Sequence, residues 1–120
     1  MIVEDEPDMR TVIKLVFKAD PRFEVDGEAS SAAEAIEVAR SSEPGLIVLD
    51  HGLQGAMTGI DAAPSLKRAA PRAKIILFSA HNLAGEAAAV PEIDAFVLKT
   101  DIGLLLPTAC RLLGLEPTHS

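Results

Sequence analysis

The sequence has neither tryptophan nor tyrosine, and four phenylalanines are its whole aromatic supply. Single-stranded nucleic acids are held largely by stacking bases on aromatic rings, so that mode of binding is poorly provided for. Positive charge is also scarce: 11 Lys and Arg stand against 18 Asp and Glu, a formal charge of −7. Affinity for nucleic acid comes largely from cations that neutralise phosphates, so no direct nucleic-acid contact is expected. A single cysteine, Cys110, excludes an internal disulfide framework and fits a reducing cytoplasm. No apolar run approaches the roughly 18 to 20 residues of a membrane-spanning helix. The start, Met1-Ile2-Val3, turns acidic at once, unlike a secretory signal. The expectation is a cytoplasmic protein without membrane contact.

What the chain does have is apolar residues, 48% of its 120, enough for one well-filled core. Five short runs recur: Met1-Ile2-Val3, Phe23-Glu24-Val25, Leu46-Ile47-Val48-Leu49, Ile75-Ile76-Leu77-Phe78 and Ala95-Phe96-Val97-Leu98. Three of them are continuous, which suits parallel strands buried on both faces. Between the runs lie stretches with helical spacing. Met9, Val12, Ile13 and Val16 predict one apolar helix stripe. A second helix is predicted over Ala32 to Arg40, capped by Ser30 or Ser31 and ended by Pro44-Gly45. A third runs from about Ile60 to Ala70, with Asp61 as its cap and Pro64 in its first turn. A short, Ala-rich fourth covers Leu83 to Val90. The fifth spans Ile102 to Leu113, with Pro107 near its start or at a kink. Strand and helix thus alternate five times, the pattern of a doubly wound α/β sheet with right-handed crossovers. The first strand is short, and a few residues are expected to precede Met1.

Polar residues interrupt the apolar runs at one kind of position, the strand ends. Glu4 and Asp5 follow the first run, Asp50 ends the third, Ser79 the fourth and Lys99 the fifth. Ligands of open parallel sheets bind outside the carboxyl ends of the strands, at the topological switch point. The flavodoxin-like strand order 2-1-3-4-5 would set strands one and three side by side and bring Glu4, Asp5 and Asp50 together. Two unit charges about 4 Å apart repel by roughly 4 kcal/mol at an effective dielectric near 20. Protonation or a bound cation relieves this. The all-oxygen set suits a hard ion such as magnesium, and no His or Cys cluster invites zinc. Asp50 is a candidate nucleophile of the aspartyl-phosphate kind. Lys99 offers a compact positive charge and Ser79 a hydroxyl for phosphoryl oxygens. Positioning and charge neutralisation are nearly all that phosphoryl transfer asks of a protein.

At this point the chain resembles, over essentially all its length, the receiver domain of two-component response regulators. Val3-Glu4-Asp5-Glu6-Pro7 is similar to the family's acidic turn, and Leu46-Ile47-Val48-Leu49-Asp50 to its phosphoacceptor strand. Leu77-Phe78-Ser79-Ala80 is similar to the strand ending in the switch Ser or Thr. Phe96-Val97-Leu98-Lys99 is similar to the segment with the switch aromatic and the lysine. The resemblance implies that Glu4, Asp5, Asp50 and the carbonyl of Gly52 bind magnesium, with manganese able to stand in. It implies that Asp50 takes phosphate from a sensor histidine kinase or a histidine phosphotransfer protein. Ser79 then turns inward, Phe96 moves into the space behind it, and the surface of the fourth helix, fifth strand and fifth helix changes. That surface would meet a downstream protein target or a fused output domain, or pair two copies on phosphorylation. Gly52 and His81 stand where the family tends to modulate hydrolysis of the acyl phosphate.

The sequence departs from the family pattern in two places. The loop Leu53–Gly59 after the acceptor is one residue longer than usual and lacks the usual proline. Thr100 stands where a proline usually follows the lysine, so no cis peptide bond is expected there. His51 and His119 are expected to be exposed and inert, and Cys110 to pack on an apolar helix face. Residues 1–114 are expected to form the domain, with 115–120 a tail or the start of a linker. Three other readings compete. A haloacid-dehalogenase-like phosphatase needs an acid two residues after its nucleophile, where this chain has Gly52. A flavodoxin needs a phosphate loop that the acidic Glu4-Asp5-Glu6 would oppose. An unphosphorylated scaffold of the same fold stays open.

Overall fold

The computed structural model describes residues 1–116. The elements in order are β1 (Ile2–Val3), α1 (Pro7–Lys18), β2 (Glu28–Ala29), α2 (Ala32–Ser42), β3 (Leu46–Asp50), α3 (Gly59–Ala69), β4 (Lys74–Ser79), α4 (Ala84–Ala88), β5 (Ala95–Leu98), a 3₁₀ turn over Lys99–Leu104 and α5 (Leu105–Leu112). The strands form one parallel sheet in the order β2-β1-β3-β4-β5, the order expected. The continuous runs of β3 and β4 bury both faces, as a strand between two helical layers must. Ile47, Leu49, Ile75 and Leu77 pack with Ala35 and Ala39 of α2 and Ala62, Ala63 and Leu66 of α3. Val48, Ile76, Phe78 and Val97 face the other way, onto Ile13 and Phe17 of α1 and Leu105 and Ala109 of α5. Burying each such large side chain contributes about 1.5 to 3 kcal/mol. The two central strands therefore anchor a sheet whose outer strands are only two residues long on one side.

Four local expectations need correction. The second strand forms at Glu28–Ala29, not at Phe23–Val25. A strand exists where a ladder partner stands opposite, and β1 offers Ile2 and Val3 to Glu28 and Ala29. Phe23 and Val25 still pack on the α1 side of the core, which explains their apolar character. On α1 the buried residues are Ile13 and Phe17, whereas Val12 is 40% exposed. The third helix starts at Gly59 because Thr58, not Asp61, is its cap. Thr58 accepts from Asp61 N–H, and the Asp61 carboxylate accepts from Thr58 N–H, a reciprocal capping box. Pro64 therefore sits in the second turn, where the N–H it lacks would have bonded the Ile60 carbonyl. The fifth helix begins at Leu105, after the 3₁₀ turn and a non-helical Asp101. Pro107 is then its third residue, where no intrahelical partner is lost.

Other boundaries follow their residues. Ser31 caps α2 by accepting from Glu34 N–H, and Glu43 in the left-handed region ends it. Gly114, with φ +69, ends α5, and Leu115 N–H returns to the Cys110 carbonyl. Cys110 is buried, as expected. His119 and most of the 115–120 tail lie outside the described residues.

Candidate functional site

The parallel register decides which side chains meet. Ile2 and Val3 of β1 stand opposite Val48 and Leu49 of β3, so Glu4 emerges beside Asp50. Ser79 stands opposite Leu98, so Lys99 leaves β5 at the same edge of the sheet. One carboxylate oxygen from each of Glu4, Asp5 and Asp50 lies within 4.8 Å of the others. Glu4 is 1% exposed and Asp50 5%, while Asp5 is half-buried. Lys99 bridges two of the three: its Nζ is 2.8 Å from Glu4 Oε1 and 3.1 Å from Asp50 Oδ1. Glu6 N–H donates to Glu4 Oε2 at 3.2 Å, and Arg10 Nη1 donates to the Glu4 carbonyl at 2.8 Å.

The electrostatics follow from burial. Desolvation pushes the Glu4 carboxyl up to about 7, against the Lys99 and Glu6 hydrogen bonds, and the Asp50 charge adds to the rise. For Lys99, burial alone would lower the ammonium. The hydrogen bonds and charges of Glu4 and Asp50 together outweigh it and hold Lys99 above its ordinary value. Three carboxylates facing one ammonium leave an excess of two negative charges when all are ionised. That excess and the all-oxygen donor set fit a divalent hard cation.

The remaining sequence candidates surround this cluster. Gly52 lies beside Asp50: a Cβ there would be 3.9 Å from Asp50 Oδ2, so this neighbour of Asp50 is small and exposed. Ser79 is buried, and its Oγ accepts from His81 N–H at 3.2 Å. Phe96 is half-buried opposite Leu77, on the face that packs against α3 and α4. Ser79 is the next residue of β4 on that same face, two beyond Leu77. A cavity of about 200 Å³ between α4 and β5 is lined by Phe96, Ala84, Ala87, Ala88 and Ile93. His81 is exposed. His51 departs from expectation: it is half-buried, and its Nδ1 is buried without a hydrogen-bond partner among the described residues. Its backbone carbonyl accepts from both Leu53 and Gly59, so this residue is tied into the loop it precedes. The loop after Asp50 is itself pinned, with Gln54 bridging to Ser31 and Gly55 at φ +96.

Two residues of the site are not legible in the sequence. Gly59 is buried against the backbone of Asp50 and His51, and only the folded approach of α3 to β3 reveals it. Arg10 reads in sequence as one more polar residue of α1.

Comparison with known proteins agrees with this geometry. The family model described as response regulator receiver domain matches residues 1–104. The chain is 34% identical over 82 residues to the nitrate/nitrite response regulator protein NarL of Escherichia coli strain K12, covering 68% of this chain and 38% of that protein. It is 33% identical over 113 residues to NarP of the same strain, covering 92% and 52%. The chain thus spans about half or less of these curated relatives. Among solved structures, a LuxR-family two-component response regulator from Aurantimonas sp. SI85-9A1 superposes with a TM-score of 0.82 at 26% identity, over 98% of this chain and 86% of that one. The response regulator TrrA of Thermotoga maritima, in complex with Mg²⁺-BeF, superposes with a TM-score of 0.70 at 27% identity, over 81% and 82%. With the strand order, the acidic cluster and the matched residues in agreement, this chain belongs to the response regulator receiver domain family of two-component signalling.

Proposed function

We propose that Asp50 is the phosphoacceptor of this receiver domain and that its donor is a phosphohistidine on a sensor histidine kinase or a histidine phosphotransfer protein. The observation that carries this reading is the Glu4–Asp5–Asp50 cluster closed on one side by the Lys99 ammonium. Glu4, Asp5, Asp50 and the Gly52 carbonyl are the residues that would hold magnesium, or manganese in its place. When bound, the ion neutralises charge on the phosphoryl oxygens, as phosphoryl transfer requires. A relative of the same fold in complex with Mg²⁺-BeF supports that assignment.

In the transfer, an Asp50 oxygen forms the new P–O bond as the P–N bond breaks, and the bonding pair returns to the donor imidazole. Lys99, released in part from Asp50, pairs with a phosphoryl oxygen. Ser79 gives up its bond from His81 N–H and turns to donate to another. Phe96 follows into the space behind it, altering the face built by α4, β5 and α5. The change is a packing event driven by a new local charge. Receiver domains are signalling modules and not a catalytic enzyme family, and many are fused to output domains, among them the DNA-binding ones of LuxR-family regulators. The altered face would engage such a fused domain, a separate protein target or a second copy. Any DNA contact would belong to an output domain and not to this acidic unit. The unit itself would end near Gly114, with the residues beyond it a tail or linker, and would work in the cytoplasm. No described helix is long and apolar enough to cross a membrane.

Incubation with acetyl phosphate and magnesium, followed by intact-mass measurement, tests the reading. The wild type gains one phosphoryl group, and Asp50→Ala gains none. An unmodified wild type, or an Asp50→Ala protein that still gains the group, sinks it.

A further inference from the structure

The β1–β2 ladder reaches Glu4 and then stops. Glu4 N–H donates to the Ala29 carbonyl at 2.9 Å. Beyond Ala29 the chain turns away: Ser31 becomes the cap of α2 and bridges to Gln54 instead. The Glu4 carbonyl, the last acceptor of β1, is taken by a side chain, Arg10 Nη1 at 2.8 Å. Arg10 is itself held, with Nε 3.6 Å from Glu28 Oε1, while Lys14, one turn further along α1, holds Glu28 Oε2 at 3.1 Å. The Arg10 side chain is 23% exposed, so this is a partly desolvated fork and not a free surface cation. A guanidinium can serve a carbonyl and a carboxylate at once from one rigid plane, which an ammonium cannot.

We infer that Arg10 is a positioning residue that fixes the Glu4–Asp5 turn, through the Glu4 carbonyl, in the geometry a divalent cation needs. The inference rests on the metal site proposed above. It carries a sign that separates it from electrostatics. Arg10 is a positive charge near a cation site, so its charge alone opposes the ion. If charge were its only influence, Arg10→Met would bind the ion more tightly. If it positions the turn, the same substitution binds more weakly, because two ligand-bearing residues lose their anchor.

The test is Mn²⁺ affinity, read from the free-ion electron paramagnetic resonance signal of the whole chain, with far-UV circular dichroism to check folding. Arg10→Met is expected to weaken Mn²⁺ binding about five- to tenfold, and Arg10→Lys to fall between it and the wild type. Wild-type affinity, or tighter binding, in Arg10→Met overturns the inference while leaving the metal site intact. Should Arg10→Met fail to fold, Arg10→Lys decides: weaker binding supports the inference and equal binding overturns it. A wild type that binds no Mn²⁺ overturns the metal site itself, and the inference with it.

Discussion

Replacing Gly59 by alanine is the sharpest mechanical test of how the site is held. An added Cβ would sit 2.9 Å from His51 Cα and 3.0 Å from the Asp50 carbonyl carbon, and nearer still to the Asp50 carbonyl oxygen. Carbon atoms rest about 3.5 to 4.0 Å apart, so the backbone must part by roughly half an ångström or more. All three obstacles are backbone atoms, which cannot swing aside as a side chain would. Overpacking of this kind costs about 1 to 3 kcal/mol, and a backbone obstacle belongs at the upper end. Helix propensity returns at most about 1 kcal/mol, leaving a net loss of about 2 kcal/mol. For a domain of this size that is a fall in Tm on the order of 10 °C. Far-UV circular dichroism is the suitable probe, because the chain has no tryptophan to report by fluorescence. Gly85 is the internal control: it lies in α4 with nothing within 4 Å of its would-be Cβ, so Gly85→Ala should be neutral or stabilising by up to about 1 kcal/mol. Because the strain falls on the Asp50 backbone, Gly59→Ala should also accept phosphate from acetyl phosphate more slowly. A Gly59→Ala protein within about 0.5 kcal/mol of wild type would refute the packing described here.

Other perturbations have equally definite outcomes. Because the Glu4 pKa rises from 4.5 to about 7 on folding, the folded state binds a proton that the unfolded state has already lost between those values. Stability in metal-free buffer should therefore fall as pH rises from about 4.5 to 7, by on the order of 3 kcal/mol. Urea denaturation across that range should show a steeper decline for wild type than for Glu4→Gln, and parallel curves would count against it. Added magnesium should stabilise the protein more at pH 8 than at pH 5. Lys99→Met leaves two buried carboxylates without their cation, so the metal-free variant should lose about 3 to 5 kcal/mol, part of it restored by magnesium. If urea midpoints of Lys99→Met and wild type coincide, the bridge is not stabilising. His81→Ala keeps the backbone N–H that holds Ser79 but removes an imidazole able to orient water. Its phosphorylated form should last longer, and an unchanged dephosphorylation rate excludes that role for the imidazole.

The central strands and the clustering of Glu4, Asp5, Asp50 and Lys99 were legible in the sequence because both depend on simple rules. Continuous apolar runs mean burial on two faces, and polar residues that end such runs in a parallel sheet share one edge. What escaped depends on contacts between segments far apart in the chain. Phe23-Glu24-Val25 has the composition of a strand, but pairing depends on what β1 sets opposite, and that is Glu28–Ala29. Val12 fits a helical stripe as well as Phe17 does, and only the direction of α1 over the sheet buries one and exposes the other. Thr58 and Asp61 are both good caps by residue type; in the folded chain they share one capping box, with Thr58 at the cap and Asp61 three residues in, which sets Pro64 further inward. His51 looked like any polar residue in a loop until the chain folded over its Nδ1.

The Ser79 hydroxyl is held by one bond from a neighbouring amide at 3.2 Å. A neutral hydrogen bond contributes about 1 kcal/mol, less than twice the thermal energy. If that rotamer is the latch of the switch, the catch is light. By that measure the hydroxyl would be free of the amide on the order of a tenth of the time.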